Sequence, residues 1–465
     1  MSNFDYSTYL SSFTWRYGSP EMRKIFSEKH KIELWRKIWV ALAEAQHQAG
    51  LVTKKELDDL KKNQNSFNIE EIQKIEKETR HDVVAAIYEF ASQAKIGGGK
   101  IHLGATSMDI VDNADMMRIK EALEIIEKRL KIVLLNFAEK IKKYAHFPCI
   151  GYTHFQPAEP TTVGYRLAFY GQDLLMAWEF IQFVKKIIKA KGVKGAVGTA
   201  ASFKALLKNS QIKVDQLEKK VMESLGIEAS LITTQVYPRQ YDFILLTALA
   251  LVGSSMAKFC GDLRILQSAN FGEWSEPFGK KQVGSSAMPF KKNPITSENI
   301  CSLARYLAAL PQVALENATL SYLERTLDDS ANKRTIIPEG FLITDQILIS
   351  SEKIITGLVV NEPRISYNLN QYAPFAASEA ILIEAVKNGA NRQELHETLR
   401  QISLLAWQET QRGKPNPMNQ LLLNNKNIAN YLKKDQIKKL LDVRNHIGDA
   451  HERALKLAVK IKSCI

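Results

Sequence analysis

From residue 113 to residue 145 the chain contains neither glycine nor proline, and Met116, Ile119, Leu123, Ile126, Leu130, Val133, Phe137 and Ile141 step along it by threes and fours. That spacing has the period of a helix and predicts one of roughly 30 residues, about 45 Å long. An apolar stripe of that length needs partners of similar length, so a bundle or coiled-coil-like core follows. The same character returns over 241–268, over 295–325 with a kink expected at Pro311, and over 330–359 with Pro338 near its start.

Shorter helices flank this middle. Residues 30–48 place Leu34, Ile38, Leu42 and Ala45 on one face before Gly50, and further helical segments are expected over 54–62 and 69–94. Residues 95–100, KIGGGK, lack the ending of a phosphate-binding P-loop and read as a connector. After a composition shift at 360–363, shorter helical stretches separated by Asn, Gly and Pro run to the end. Strand signals are few. The expected fold is all-α, in three helical domains: 1–111, a long-helix bundle over 112–362, and 363–465.

A net charge of +13 raises the question of nucleic acid. The lysines are scattered along helical segments without a basic arm, which describes a solvated surface that attracts small anions better than a nucleic-acid or membrane binder. Four dispersed cysteines, Cys149, Cys260, Cys301 and Cys464, have no metal-ligand spacing and suit a reducing compartment. The first residues lack the pattern of a signal peptide, and no uninterrupted apolar run approaches the ~20 residues of a membrane span. A cytoplasmic enzyme without metal is the expectation.

Chemistry-bearing residues collect at the ends of the long helical runs. Arg80, His81 and Asp82 place an imidazole between opposite charges, as a catalytic group or as a structural one. Thr106 and Ser107 stand before the longest helix, where hydroxyls and free N–H groups bind anions, or where Ser107, Asp109 and Asp112 simply cap it. His154 lies near two fixing prolines, Pro157 and Pro160, in a held active-site segment or a turn. Arg325, Ser330 and Arg334 converge on one phosphate or carboxylate if the chain reverses at Asp328 and Asp329; otherwise they are salt-bridged linkers. Residues 284–294, GSSAMPFKKNP, begin as a Gly/Ser loop whose N–H groups can face an anion and end at prolines, or form a basic surface loop.

The last of these runs resembles the signature loop of the fumarase/aspartase superfamily. With the stretches around Arg16 and Tyr17, Arg80, His154, residues 194–199 (KGAVGT), residues 324–332 (ERTLDDSAN) and Arg392, the chain is most similar to the adenylosuccinate lyase family. The resemblance implies elimination of fumarate from adenylosuccinate and from succinyl-aminoimidazole-carboxamide ribotide, with no metal or organic cofactor. It implies Ser285 as base, His154 as acid, and His81, Lys291 and Glu298 as their supports. It assigns substrate contacts to Arg16, Tyr17, Arg80, Asp82, Thr106, Ser107, Gln235, Ser286, Asn293, Arg325, Ser330 and Arg334. It also implies a homotetramer with a twenty-helix core and sites shared by three subunits. Phe290, Ala200 and Asn299 depart from the residues common in relatives. Argininosuccinate lyase, or another fumarate-releasing relative, is the nearest alternative, but three phosphate-binding arginines have no use there. A non-catalytic helical scaffold or basic RNA-binding protein is the more distant alternative.

Overall fold

The computed structural model describes residues 7–465, which hold eighteen α-helices and four short strands. α1 (Pro20–Ile25), α2 (Glu28–Gln48) and α3 (Lys54–Asn63) come first. α2 ends where expected: Gly50 takes φ +79°, and the N–H groups of Gly50 and Leu51 return to the carbonyls of His47 and Gln46.

The single helix expected over 69–94 is in fact two, α4 (Ile69–Thr79) and α5 (Asp82–Gln93). Arg80 closes α4 in the left-handed region at φ 54°, and His81 opens α5 in extended conformation, with its ring accepting the Val84 N–H. Apolar periodicity reads through this break because only two polar residues make it.

α6 (Ser107–Tyr144) is the expected long helix, 38 residues and about 57 Å. A hairpin then interrupts the helical run, against expectation. β1 (Pro148–Thr153) pairs antiparallel with β2 (Gln156–Thr162), with Thr153 opposite Gln156. α7 (Val163–Ile187), α8 (Ala201–Leu206), α9 (Val214–Leu225) and α10 (Gln240–Gln267) follow. α10 is long and apolar enough to span a membrane, with a mean hydropathy of 1.8 in its most apolar window. Leu245, Leu249, Val252, Met256, Phe259 and Leu263 on it are nonetheless fully packed, at the spacing of a core helix.

β3 (Trp274–Ser275) pairs with β4 (Val359–Val360), and between them lie α11 (Ile295–Leu320) and α12 (Ser330–Gly357). α11 stops short of residue 325, so 321–329 is a loop. The tail opens with a helix as long as those of the middle, α13 (Glu362–Lys387), followed by α14 (Arg392–Gln411), α15 (Met418–Asn424), α16 (Lys426–Ala429), α17 (Lys434–Leu440) and α18 (Ala450–Cys464).

The chain divides into two compact units. The first comprises Met1–Arg129, Ala177–Ser254 and Leu303–Leu348; the second comprises Leu130–Met176, Ser255–Ser302 and Ile349–Ile465. In the first, Trp35, Trp39, Phe90, Phe203, Leu217 and Val221 form a core that joins α2 to α5, α8 and α9. Each such side chain contributes on the order of 2 kcal/mol by leaving water. In the second, Phe137 and Tyr170 pack edge-on against Phe259. There, a Cβ on Gly164 would lie 2.5 Å from the Ala145 backbone, so glycine lets the start of α7 approach the end of α6. Ile381, Leu395, Leu399, Met418 and Ile437 build a separate core for the tail.

Candidate active site

A cleft of about 650 Å³ opens in the first unit, and it gathers Arg80, His81, Asp82, Thr106, Ser107, Gln235, Arg325, Ser330 and Arg334. His81 is held at three points. Its Nδ1 accepts the Val84 N–H at 3.4 Å, Nδ1 also stands 3.5 Å from Asp82, and Nε2 meets the Ser107 hydroxyl at 3.5 Å. While Nδ1 caps α5, the ring proton sits on Nε2 and points at Ser107. Asp82 also accepts from Arg334 at 3.2 Å across the cleft.

Thr106 and Ser107 are placed by Asp109, a buried carboxylate two residues beyond. Asp109 accepts the N–H groups of Thr106 (2.9 Å), Lys194 (3.1 Å) and Gly195 (3.1 Å) and pairs with the fully buried ammonium of Lys191. The cap is Asp109, which leaves Thr106 and Ser107 lining the cleft. The neighbouring His102 is structural: it accepts from the Trp39 indole at 3.1 Å, and burial holds its pKa down.

Along the cleft wall runs a chain of alternating charge. Arg325 donates to Asp329 at 2.6 Å, Asp329 accepts from Arg239 Nε at 2.6 Å, and Arg239 forks onto Asp112 with two 3.1 Å bonds. Lys333 stands 3.6 Å from Asp112 and 2.6 Å from Asp115, which also pairs with Arg118. Burial alone would raise Asp115, but Lys333 and Arg118 outweigh it and hold its carboxyl well below the ordinary range. The same contest, won by Arg239, Arg325 and Lys333, lowers Asp329. Sequence reasoning missed Asp115, Arg118, Arg239 and Lys333, and read Asp329 only as part of a turn. Their one signal was Asp109, Asp112 and Asp115, three carboxylates at three-residue spacing along the first turns of α6.

His154, Ser285, Ser286, Lys291, Asn293 and Glu298 lie in the second unit. His154 and Phe155 form the two-residue tip of the hairpin, with φ 52° and 59°. Two consecutive non-glycine residues in the left-handed region cost on the order of 1 kcal/mol each, a strain that clusters at functional sites. The hairpin is tied down from below. Tyr152 donates to the buried Glu273 at 3.0 Å, and Arg166 bridges the same carboxylate and the Ile150 carbonyl.

In the signature loop, the Ser285 oxygen accepts the N–H groups of Met288 (3.1 Å) and Ala287 (3.4 Å). The Asn293 amide closes the loop onto the Gly284 carbonyl at 2.8 Å, and a Cβ on Gly284 would lie 2.0 Å from the Lys291 carbonyl. Glu276 accepts the Ser297 and Thr296 N–H groups, fixing where α11 begins and therefore where Glu298 stands. Lys291 and Ser286 are exposed, and Glu298 lies 3.9 Å from Arg264. Arg16 and Tyr17 are in the first unit but do not line the cleft; the chain just after them is anchored to Gln346 and Asp345.

A predominantly helical chain with this loop and this arginine-rich cleft is of the fumarate-lyase kind, and a lyase family model matches residues 15–307. A model of the adenylosuccinate lyase C-terminus matches residues 374–455. Adenylosuccinate lyase of Schistosoma mansoni is 40% identical over 90% of this chain and 88% of its own length. Adenylosuccinate lyase of Schizosaccharomyces pombe is 38% identical over 97% and 94%. In fold, the chain is similar to the crystal structure of fumarate lyase from Mesorhizobium sp. BNC1, with a TM-score of 0.83 over 97% of this chain and 99% of that one at 23% identity. This chain belongs to the adenylosuccinate lyase family.

Proposed function

We propose that the chain eliminates fumarate from adenylosuccinate, giving AMP, and from succinyl-aminoimidazole-carboxamide ribotide, giving the free carboxamide, in purine nucleotide synthesis in the cytoplasm. The observation that carries this reading is the cleft that gathers Arg325, Ser330 and Arg334, suited to a phosphate, with Thr106, Ser107 and His81, suited to a carboxylate.

The difficult step is removal of a weakly acidic C–H proton beside a carboxylate. Ser285 takes it, as an oxygen already facing two N–H donors that stabilise its alkoxide. The electron pair forms the fumarate double bond, the C–N bond breaks, and His154 delivers a proton to the departing nitrogen. Lys291 and Asn293 stabilise the carbanion-like state, Glu298 partners His154, and Gln235 and Ser286 contact substrate. Arg80 and Asp82 orient His81, while Arg16 and Tyr17 extend the grip on the phosphate.

The enzyme works as a homotetramer with a twenty-helix core, each site drawing on three subunits. One face of α7 supports this: Tyr165, Phe169, Met176 and Phe183 are exposed at spacings of four, seven and seven, a coiled-coil seam without its partner. The reading is tested by assaying fumarate release from adenylosuccinate and, as a control for the rival lyase, from argininosuccinate. Turnover of the first alone supports it, and turnover of the second alone refutes it.

A further inference from the structure

Arg325 lines the cleft, and the carboxylate that holds it, Asp329, stands at the same wall. Asp329 is almost fully buried at the start of α12, and its two oxygens are divided between Arg325 Nη1 and Arg239 Nε, each at 2.6 Å. Arg239 lines the cleft but is largely engaged, since its Nε donates to Asp329 and each terminal nitrogen donates one N–H to Asp112. Arg325 is half spent. With Nη1 taken, it retains its Nε and Nη2 edge, which is one of the two bidentate edges of a guanidinium. Nε is buried without a hydrogen-bond partner, and Nη2 has none among the described residues.

We propose that Asp329 is a positioning residue for recognition of the nucleotide's phosphate, holding Arg325 so that its free edge faces the anion. The inference rests on the proposed function, which puts the phosphate at Arg325. Asp329 touches no substrate. It is itself held, because Arg239 anchors it to Asp112 on α6, and Lys333 continues the chain to Asp115 and Arg118. Counting Arg325, Arg239, Lys333 and Arg118 against Asp329, Asp112 and Asp115, the chain carries one positive charge in excess, and Arg325 is the end with an open fork. A phosphate dianion is complementary to that end, whereas an uncharged ribose is indifferent to it.

The test compares the binding of AMP and of adenosine to wild type, Asp329→Asn and Asp329→Glu by titration calorimetry, on protein matched for helical circular dichroism and tetramer content. Expected is a loss of AMP affinity of about 10- to 50-fold in Asp329→Asn, adenosine affinity within about twofold of wild type, and partial recovery in Asp329→Glu. In turnover of adenylosuccinate, KM rises and kcat changes by less than about threefold. If Asp329→Asn lowers AMP and adenosine binding equally, Asp329 is structural only and the inference is overturned. It is overturned as well if wild type prefers AMP and Asp329→Asn keeps that preference. If wild type itself binds AMP no better than adenosine, the phosphate is not held here, and the underlying functional reading fails first.

Discussion

Removing Asp109 offers the sharpest test of how the end of α6 is built. The carboxylate is fully buried; it accepts three backbone N–H groups, from Thr106, Lys194 and Gly195, and neutralises an ammonium, Lys191, that is equally buried. Breaking a buried pair from one side costs about 3–5 kcal/mol, because the remaining charge has no solvent to return to. Asp109→Ala therefore lowers the free energy of the first cooperative urea transition by about 3–5 kcal/mol. Lys191→Met is milder, since the Asp109 carboxylate keeps its N–H donors. The double variant Asp109→Ala/Lys191→Met is well above the stability expected from the sum of the two single losses, because neither charge is left stranded. The assay is a double-mutant cycle by urea denaturation, read from far-ultraviolet circular dichroism. Additive losses, or an Asp109→Ala cost below about 1 kcal/mol, would show that the pair is not what holds Thr106 and Ser107 in place.

Two further outcomes follow from the geometry. Asp115 and Asp329 both sit below their unfolded pKa, so their stabilisation is complete above about pH 4 and is lost as the pH falls through the folded values; the urea midpoint should fall only on the acid side, and less steeply in Lys333→Met, whereas a decline beginning near neutrality would contradict the assignment. Gly284→Ala pushes a methyl group into the Lys291 carbonyl, so fumarate release should drop by at least about 10-fold while global stability changes by less than about 1 kcal/mol; full activity would mean the loop closes differently.

The long helices were legible because apolar residues at three- and four-residue spacing, uninterrupted by glycine or proline, have one plausible fold. α6 and α10 lie almost where periodicity put them. What periodicity could not show was set by single residues in unusual conformations. Arg80 and His81 end one helix and begin the next within two positions, and the hairpin over 148–162 was hidden by Pro157 and Pro160, residues that argue against a strand. The resemblance supplied the site residues, and the cleft brings nine of them together. The ion chain beside them escaped notice because the links that join its parts, Arg239 to Asp112 and Asp329 and Lys333 to Asp115, connect residues remote in sequence that meet only once the fold is made.

Everything proposed for the chemistry turns on Ser285 and His154 carrying proton transfer in fumarate elimination. The measurement that meets this most directly is fumarate release from adenylosuccinate by wild type, Ser285→Ala and His154→Ala at matched folding and matched oligomeric state. Expected are fumarate and AMP from wild type and a loss of at least about 100-fold in kcat for each variant, the scale of a removed acid or base. A folded wild type inert toward both adenylosuccinate and succinyl-aminoimidazole-carboxamide ribotide, or a Ser285→Ala variant of undiminished kcat, would contradict it.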